Sequence, residues 1–413
     1  MNYFFVLIVS VISINIGTAQ TVFSSSNFLK TAESETALSH HQQKVDFLNN
    51  NEYEVPVIDK LEFRTQTDEF DFKQQEYRVR MSPTGLKERQ EYRKFHQSTI
   101  QFEATEKQGI LQDALINRYN LLVDWKNLTQ QLALFRQQEL VVQDRMMVLK
   151  RQALTENFTI TSLIDAENTL HDIQQDILEK ELQQQRLENF VKISLNSPKK
   201  IQLDTSNWLK LSTLKNAISD LKIVTSTHPN LIQRQAKIEQ ITAEEKLEIA
   251  RNQQWLDFVE TRYQNDNKNP LGEEFSIGVG IRIPFKSQVQ LDVNELSLDR
   301  LETQNALDLK TTELTTEITE IQEKLDLLFQ QHDLITTQME ESQAQFSLDQ
   351  FKKMTNANPL ALLKIQENLL KREVSLQKIE ARAFEYYVDL LDLTGRVVEV
   401  PLRNYLTNDF EVF

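Results

Sequence analysis

The sequence predicts a mainly α chain with a membrane β-barrel portion, built as a duplicated helix–strand–strand–long helix–long helix repeat. Three observations carry that fold class. Glycine is scarce at 7 and proline at 8 among 413 residues, well under the roughly 7% and 5% of average chains, so turns are few and elements long. Apolar residues recur at steps of three and four through two very long segments, about 86–155 and 290–355, each followed by a return helix. Two stretches, about 56–82 and 254–285, drop to the period of two that marks strands.

At the N-terminus, Tyr3 to Ile16 is nearly all apolar and Gly17-Thr18-Ala19 supplies the small residues that a signal peptidase reads. The apolar run is about 13 residues, short of the roughly 20 that a spanning helix needs. Residues 1–19 are therefore expected to be a cleaved signal peptide, although no Lys or Arg precedes the apolar core. No other segment has the make-up of a transmembrane helix.

Residues 25–52 read as one helix on Leu29, Ala32, Leu38, Val45 and Leu48. A hairpin follows: Leu61, Phe63 and Thr65 alternate with Glu62, Arg64 and Gln66, then Tyr77, Val79 and Met81 with Arg78 and Arg80. Pro83 and Gly85 close it. The first long helix has its seam on Leu111, Leu115, Leu122, Trp125, Leu128, Leu132, Phe135, Val142, Met146, Leu149 and Ala153. After a turn at 155–159, Thr161 or Ser162 is expected to cap the return helix, with Asp165 in capping-box position from Ser162. The return seam is Leu163, Ala166, Leu170, Ile173, Ile177, Leu187 and Val191. Residues 196–227 read as a connector with a short helical piece from 208.

Pro229 then opens a helix through Ile232, Ala236, Ile241, Leu247 and Ala250. Strand character returns from Trp255 to Tyr263. The next strand sets Phe275, Ile277, Val279, Ile281, Ile283 and Phe285 on one face and Ser276, Gly278, Gly280 and Arg282 on the other. The second long helix has its seam on Leu314, Ile318, Ile321, Leu325, Leu328, Ile335, Met339 and Phe346. Asn358 as cap and Pro359 at the first helical position start its return helix, and Gly395 stops it. Residues 396–413 read as an irregular tail.

The halves, 25–195 and 228–395, share local sequence as well as order. Glu167-Asn168 recurs as Glu367-Asn368 at an offset of 200, Val79-Arg80-Met81 as Ile281-Arg282-Ile283 at 202, and Asn27-Phe28-Leu29 as Asn230-Leu231-Ile232 at 203. Three matches at offsets within three residues of one another, on corresponding stretches of the predicted order, indicate a tandem duplication.

Four alternating strands cannot sit in lipid alone, because open edges leave backbone groups unpaired there. Closed membrane barrels begin at about eight strands. If these strands span a membrane, two chains would give eight and three would give twelve. The apolar 275–285 face suits lipid, and its small, polar reverse suits a watery lumen. A soluble sheet packed on helices is the competing reading.

The chemistry classes narrow further. No cysteine is present, which excludes disulfides, thiolate metal sites and a lipidated N-terminal cysteine. The net charge of −15 disfavours nucleic-acid binding. The six histidines, His40, His41, His96, His171, His228 and His332, include no i, i+4 pair and are expected on polar faces, with no metal and no cofactor. Gly278-x-Gly280 lacks the rest of a dinucleotide loop, and no nucleophile elbow occurs. An enzyme is not expected.

In order and in local signals, residues 25–395 resemble the TolC-type outer-membrane efflux family. The signals are His228-Pro229-Asn230-Leu231 ahead of a helix into Trp255, the strand 278–285 ending in Pro284 before the long helix, Leu163 to Leu170 after the first tip, and Leu390 to Gly395 at the close. The resemblance implies a homotrimer whose twelve strands form one outer-membrane barrel over a tunnel of twelve periplasmic helices. It further implies a passive conduit that meets a periplasmic adaptor (membrane fusion) protein and an inner-membrane pump. Docking would fall to the tips, at Thr155, Asn157, Thr159, Asn356 and Asn358. Asp165 and Lys364 are the candidate entrance-lining residues. Leu362 and Ile365 stand where family members often carry aspartates, which disfavours an acidic gate, and neither tip has the usual glycine, so the adaptor contact is expected to differ. The alternative is a periplasmic coiled-coil adaptor or structural protein.

Overall fold

The computed structural model describes residues 21–51, 54–67, 75–153, 158–219, 227–264, 275–283, 286–341 and 358–413. The expected signal peptide, Phe285, Thr155, Asn157 and Asn356 lie outside them. The described elements, in chain order, are β1 (Thr21–Ser24), α1 (Ser25–Lys30), a 3-10 turn (Thr31–Ser34), α2 (Thr36–Asn50), β2 (Ile58–Thr67), β3 (Gln75–Pro83), α3 (Leu86–Gln152) and α4 (Ile160–Ser194). They continue with β4 (Ile201–Asp204), α5 (Leu211–Ser219), α6 (Pro229–Asn252), β5 (Leu256–Gln264), β6 (Phe275–Ile281), α7 (Lys286–Glu341), α8 (Pro359–Leu393) and a 3-10 turn (Arg396–Val398). The order α2-β2-β3-α3-α4 recurs as α6-β5-β6-α7-α8.

The long helices organise everything else. The 67 residues of α3 make a rod of roughly 100 Å at 1.5 Å each. Its half nearer the sheet packs on α2 and α6, and its far half on α4 and α8. The long α7 likewise meets α6 with one half and α8 with the other. Polar ties mark the two levels: Ser297 donates to Glu245 at 3.0 Å near the sheet, and Arg136 meets Glu181 at 2.8 Å in the far half. The far half is thus a helical layer in the order α4-α3-α8-α7. Its seams are those read from the sequence, with Leu115, Leu122, Leu128, Leu132, Val142 and Leu149 of α3 buried.

Between the halves lies the main core. Phe23, Phe28, Leu115, Tyr119, Trp125, Leu203, Leu214, Leu325, Tyr387, Leu390 and Leu406 belong to one buried cluster. Gly395 ends α8 at φ +66, and a Cβ there would press on Pro229 and on the backbone of His228. Only glycine takes that turn without cost.

Several expectations change here. The helix expected over 25–52 is broken at Thr31–Ser34, where hydroxyls capture the carbonyls: Thr31 donates to Phe28 O and Ser34 to Thr31 O. The buried Arg118 reaches across from α3 to Thr31 Oγ1 at 2.9 Å and Glu35 Oε2 at 2.7 Å and pins the break. The connector contains β4, which pairs in parallel with β1 from Thr21↔Ile201 to Ser24↔Asp204. The expected irregular tail has little regular structure but is not loose. Asn404 is fully buried and donates to Ser25 and Ser26 hydroxyls, while the Tyr119 hydroxyl donates to Arg403 O at 2.6 Å. Aperiodic contacts of this kind leave no period in the sequence. The return helix begins at Ile160 with Thr159 as N-cap, ahead of the expected Thr161 or Ser162. Thr159 makes no side-chain cap bond and instead lies 3.1 Å from the Ser162 hydroxyl, hydroxyl to hydroxyl.

A candidate membrane-spanning sheet with open edges

Four strands form one antiparallel sheet in the order β2-β3-β5-β6. Register fixes the two faces. Leu61, Met81, Val259 and Val279 lie level on one face, then Phe63, Val79, Thr261 and Ile277, then Thr65, Tyr77, Tyr263 and Phe275. The last level carries an aromatic ladder: the Tyr77 and Tyr263 centroids are 6.4 Å apart, and those of Tyr263 and Phe275 4.9 Å. The reverse face carries Glu62, Arg80, Glu260 and Gly278 at one level and Arg64, Arg78, Arg262 and Ser276 at the next.

The apolar face is bare. Ile277 is 76% exposed and Phe63 66%, and among the described elements no helix packs on either side of the sheet. Each such side chain gains about 1.5–3 kcal/mol on leaving water, so the face as a whole forgoes on the order of 10 kcal/mol in solution. A soluble sheet packed on helices would cover this surface, and that competing reading does not describe the fold. Pairing in β6 ends at Ile281, where Arg282 N–H donates to Trp255 O at 2.8 Å, so Ile283 falls outside the strand although it was expected within it.

Both outer strands, β2 and β6, present unpaired edges. The helical layer below ends in the same way. Its outer member α4 packs along α3 alone to any extent, and at the other side α7 packs on α8. Each outer helix also carries an exposed apolar stripe. On α4 it is Ile160, Ile164, Leu178, Leu182 and Ile193; on α7 it is Leu291, Leu298, Leu309, Leu327 and Leu334. At 100° per residue each set falls within a narrow arc of its helix. Reading one seam per helix missed these second stripes, although their spacing was present in the sequence.

At the far tips, Asn358 caps α8 by accepting from Leu360 N at 3.0 Å, with Pro359 beside it, as the sequence predicts. Thr159 and Asn358 are the docking candidates within the described residues, and both are exposed. Asp165 and Lys364 are also exposed, on the second turns of α4 and α8. Nothing brings these four residues into one cluster.

Two histidines depart from the polar-face expectation. His41 is buried, and one ring nitrogen donates to Glu103 O at 2.7 Å. The carboxylates of Glu103 and Glu106 are close enough to complete a metal-like triad with it, but the Lys44 ammonium already sits 2.7 Å from Glu103 Oε2. His228 is buried as the N-cap of α6, where its Nδ1 accepts from Asn230 N at 3.1 Å. Burial holds its pKa below the usual value, aided by Lys310. Burial raises that of neighbouring Asp392, to which Gln112 donates. Among the described residues no helix is long and apolar enough to cross a membrane.

No protein-family model matches the chain, and no curated protein matches it. Solved structures do. The channel-forming protein CusC aligns over 90% of this chain and 92% of its own, with a TM-score of 0.65 at 12% identity. The outer-membrane protein VceC of Vibrio cholerae aligns over 90% and 96%, with a TM-score of 0.61 at 11% identity. The outer-membrane channel MtrE of Neisseria gonorrhoeae, in its open state, aligns over 90% and 88%, with a TM-score of 0.60 at 12% identity. The fold of this chain is that of the TolC-type outer-membrane factors.

Proposed function

We propose that the chain is the outer-membrane channel subunit of a trans-envelope efflux or type I export system. It is a passive conduit, not an enzyme, placed in the outer membrane of a Gram-negative bacterium with a long periplasmic portion. One observation carries the reading. The sheet and the helical layer are both open, and their exposed edges lie on the same sequence repeats: β2 and α4 in the first, β6 and α7 in the second. Copies of the chain joined β6 to β2 and α7 to α4 would close both layers at once.

Closure sets the copy number. Two copies give eight strands, a barrel whose interior side chains fill it. Three give twelve strands over twelve helices, wide enough for an aqueous duct. Lipid would cover the bare apolar face, with the tyrosine ladder at one interface. The tips, remote from the membrane, would meet a periplasmic adaptor and through it an inner-membrane pump. A periplasmic coiled-coil adaptor would carry one hairpin flanked by small β-domains, whereas this chain has two hairpins.

The test is the protein mass of the particle that detergent extracts from membranes, by size exclusion with light scattering corrected for detergent. Three chains per particle is the expected result. A monomer or dimer in the soluble fraction would overturn the proposal.

A further inference from the structure

The reverse face of the sheet carries a charge pattern that the rest of the chain does not predict. Arg64 lies directly opposite Arg78, and Arg78 directly opposite Arg262, so three neighbouring strands set a guanidinium at one level. Like charges opposed across a ladder destabilise it. The sheet tolerates them by placing carboxylates one level above and one below. Arg64 meets Glu62 at 3.0 Å, Arg262 meets Glu76 at 2.7 Å, Arg78 also pairs with Glu76, and Arg80 meets Glu260 at 2.8 Å.

Depth decides which sign a solute would meet. The side chains of Glu62, Glu76 and Glu260 are only 18%, 11% and 15% exposed, whereas those of Arg64, Arg78 and Arg262 are 60%, 30% and 39% exposed. The guanidinium groups thus present a larger share of their surface to solvent than the carboxylates they pair with. Within the regularly paired part of this face Lys60 adds a fifth cation against three carboxylates, and beyond the register shift Arg282 is offset by Asp257 at 2.7 Å, in a chain whose total charge is −15. At the same level the fourth strand offers only Ser276, and Gly278 and Gly280 beside it add no charge.

Resting on the channel reading above, we infer that Arg64, Arg78 and Arg262 form a cationic girdle in the barrel lumen that favours anionic solutes, those bearing carboxylate or phosphate groups. In a closed trimer the row contributes three arginines from each chain, nine at one level, with less exposed carboxylates beside them. A ring of one sign with low-dielectric walls raises the local concentration of counter-ions and sets the preference for what passes.

Single-channel recording of the detergent-purified protein in planar bilayers tests this, with chloride and potassium as the probe ions. The gradient is held near 0.1 M salt, where screening extends over about 10 Å. The wild type is expected to show a reversal potential on the anion side. Arg64→Gln, R78Q and R262Q together should move the chloride-to-potassium permeability ratio toward cations by roughly twofold or more. Arg64→Gln alone removes the most exposed guanidinium and leaves the Arg78–Glu76–Arg262 cluster intact. It should shift the ratio in the same direction even if the triple variant does not fold. A cation-preferring wild type, or a ratio unmoved by Arg64→Gln, overturns the girdle while leaving the channel standing. A wild type with no conductance at all overturns both.

Discussion

The Phe258 ring lies across the strand pair on Gly280, its cross-strand partner, so closely that a Cβ at 280 would collide with it. The Arg80 guanidinium stacks on the same ring from β3, 3.9 Å from its centroid. Glycine is poor at stabilising strands, and an aromatic ring laid over it restores the missing contact while covering backbone. The arrangement links three strands on the face opposite the apolar one. Gly280→Val should force Phe258 off the strand, release Arg80 and cost about 1–3 kcal/mol by overpacking. Thermal unfolding of the detergent-solubilised protein should register the loss. Phe258→Ala alone should be milder, because it opens space instead of creating a clash.

The stripes on α4 and α7 give a second prediction. Leu178 is 66% exposed and Leu327 54%, each in the middle of its stripe. If the two helices meet between copies, a carboxylate at either site enters an apolar seam without a partner, at several kcal/mol for each copy. Leu178→Asp and Leu327→Asp should each shift the detergent particle from three chains to one while helical content by circular dichroism stays unchanged. Loss of helicity in step with mass would instead place these residues in the subunit core.

How far the sequence foretells these features depends on periodicity. The long helices, both hairpins and the faces of the sheet were legible because a period of 3.6 or 2 runs through them. The α8 cap at Asn358 and its stop at Gly395 were legible because local chemistry fixes them. What escaped has no period. The β1–β4 pair brings together segments about 180 residues apart, and Asn404 finds its partners at Ser25 and Ser26 through the fold alone. His41 and His228 show the same limit. A histidine that binds a carbonyl or caps a helix is buried by a partner whose position is set by tertiary structure. The arginine row was in plain view as alternating residues, but only strand register showed that Arg64, Arg78 and Arg262 stand level.

The tips supply the third prediction. Residues 154–157 and 356–357 belong to the turns expected from the sequence, beside Thr159 and Asn358. If they dock the adaptor, deleting either segment and joining its flanking helices with a short Gly-Ser loop should abolish export of the cognate solute. The sheet lies about 100 Å away by the length of α3, so the mass of the extracted particle should not change. Export at the wild-type rate after both deletions would remove the tips from the docking assignment.

The last prediction concerns pH and rests on His228, which caps α6 where α3, α7 and α8 converge. Its Nδ1 accepts from Asn230 N–H, so the ring serves as a cap only while that nitrogen is unprotonated. Burial, and secondarily Lys310, holds its folded-state pKa below the ordinary 6.5. The unfolded chain therefore takes up a proton first as pH falls, and stability that is steady above 6.5 declines as pH drops toward the lower folded-state value. Asp392 acts in the opposite sense. Burial raises its pKa, so the folded chain binds that proton first, and stability recovers as pH approaches the range in which Asp392 titrates. Glu106, Asp113 and Glu317 line the same cleft, and burial raises Asp113 as well. His228→Asn keeps an acceptor in cap position and removes the titration. Melting temperatures measured from neutral pH downward should fall for the wild type just below 6.5 and stay level over the same interval for His228→Asn. His228→Ala should lower the melting temperature at neutral pH, through about 1 kcal/mol of lost capping, and converge on the wild type as the ring takes up its proton. A wild-type curve that is flat below 6.5 would show that the cap survives protonation.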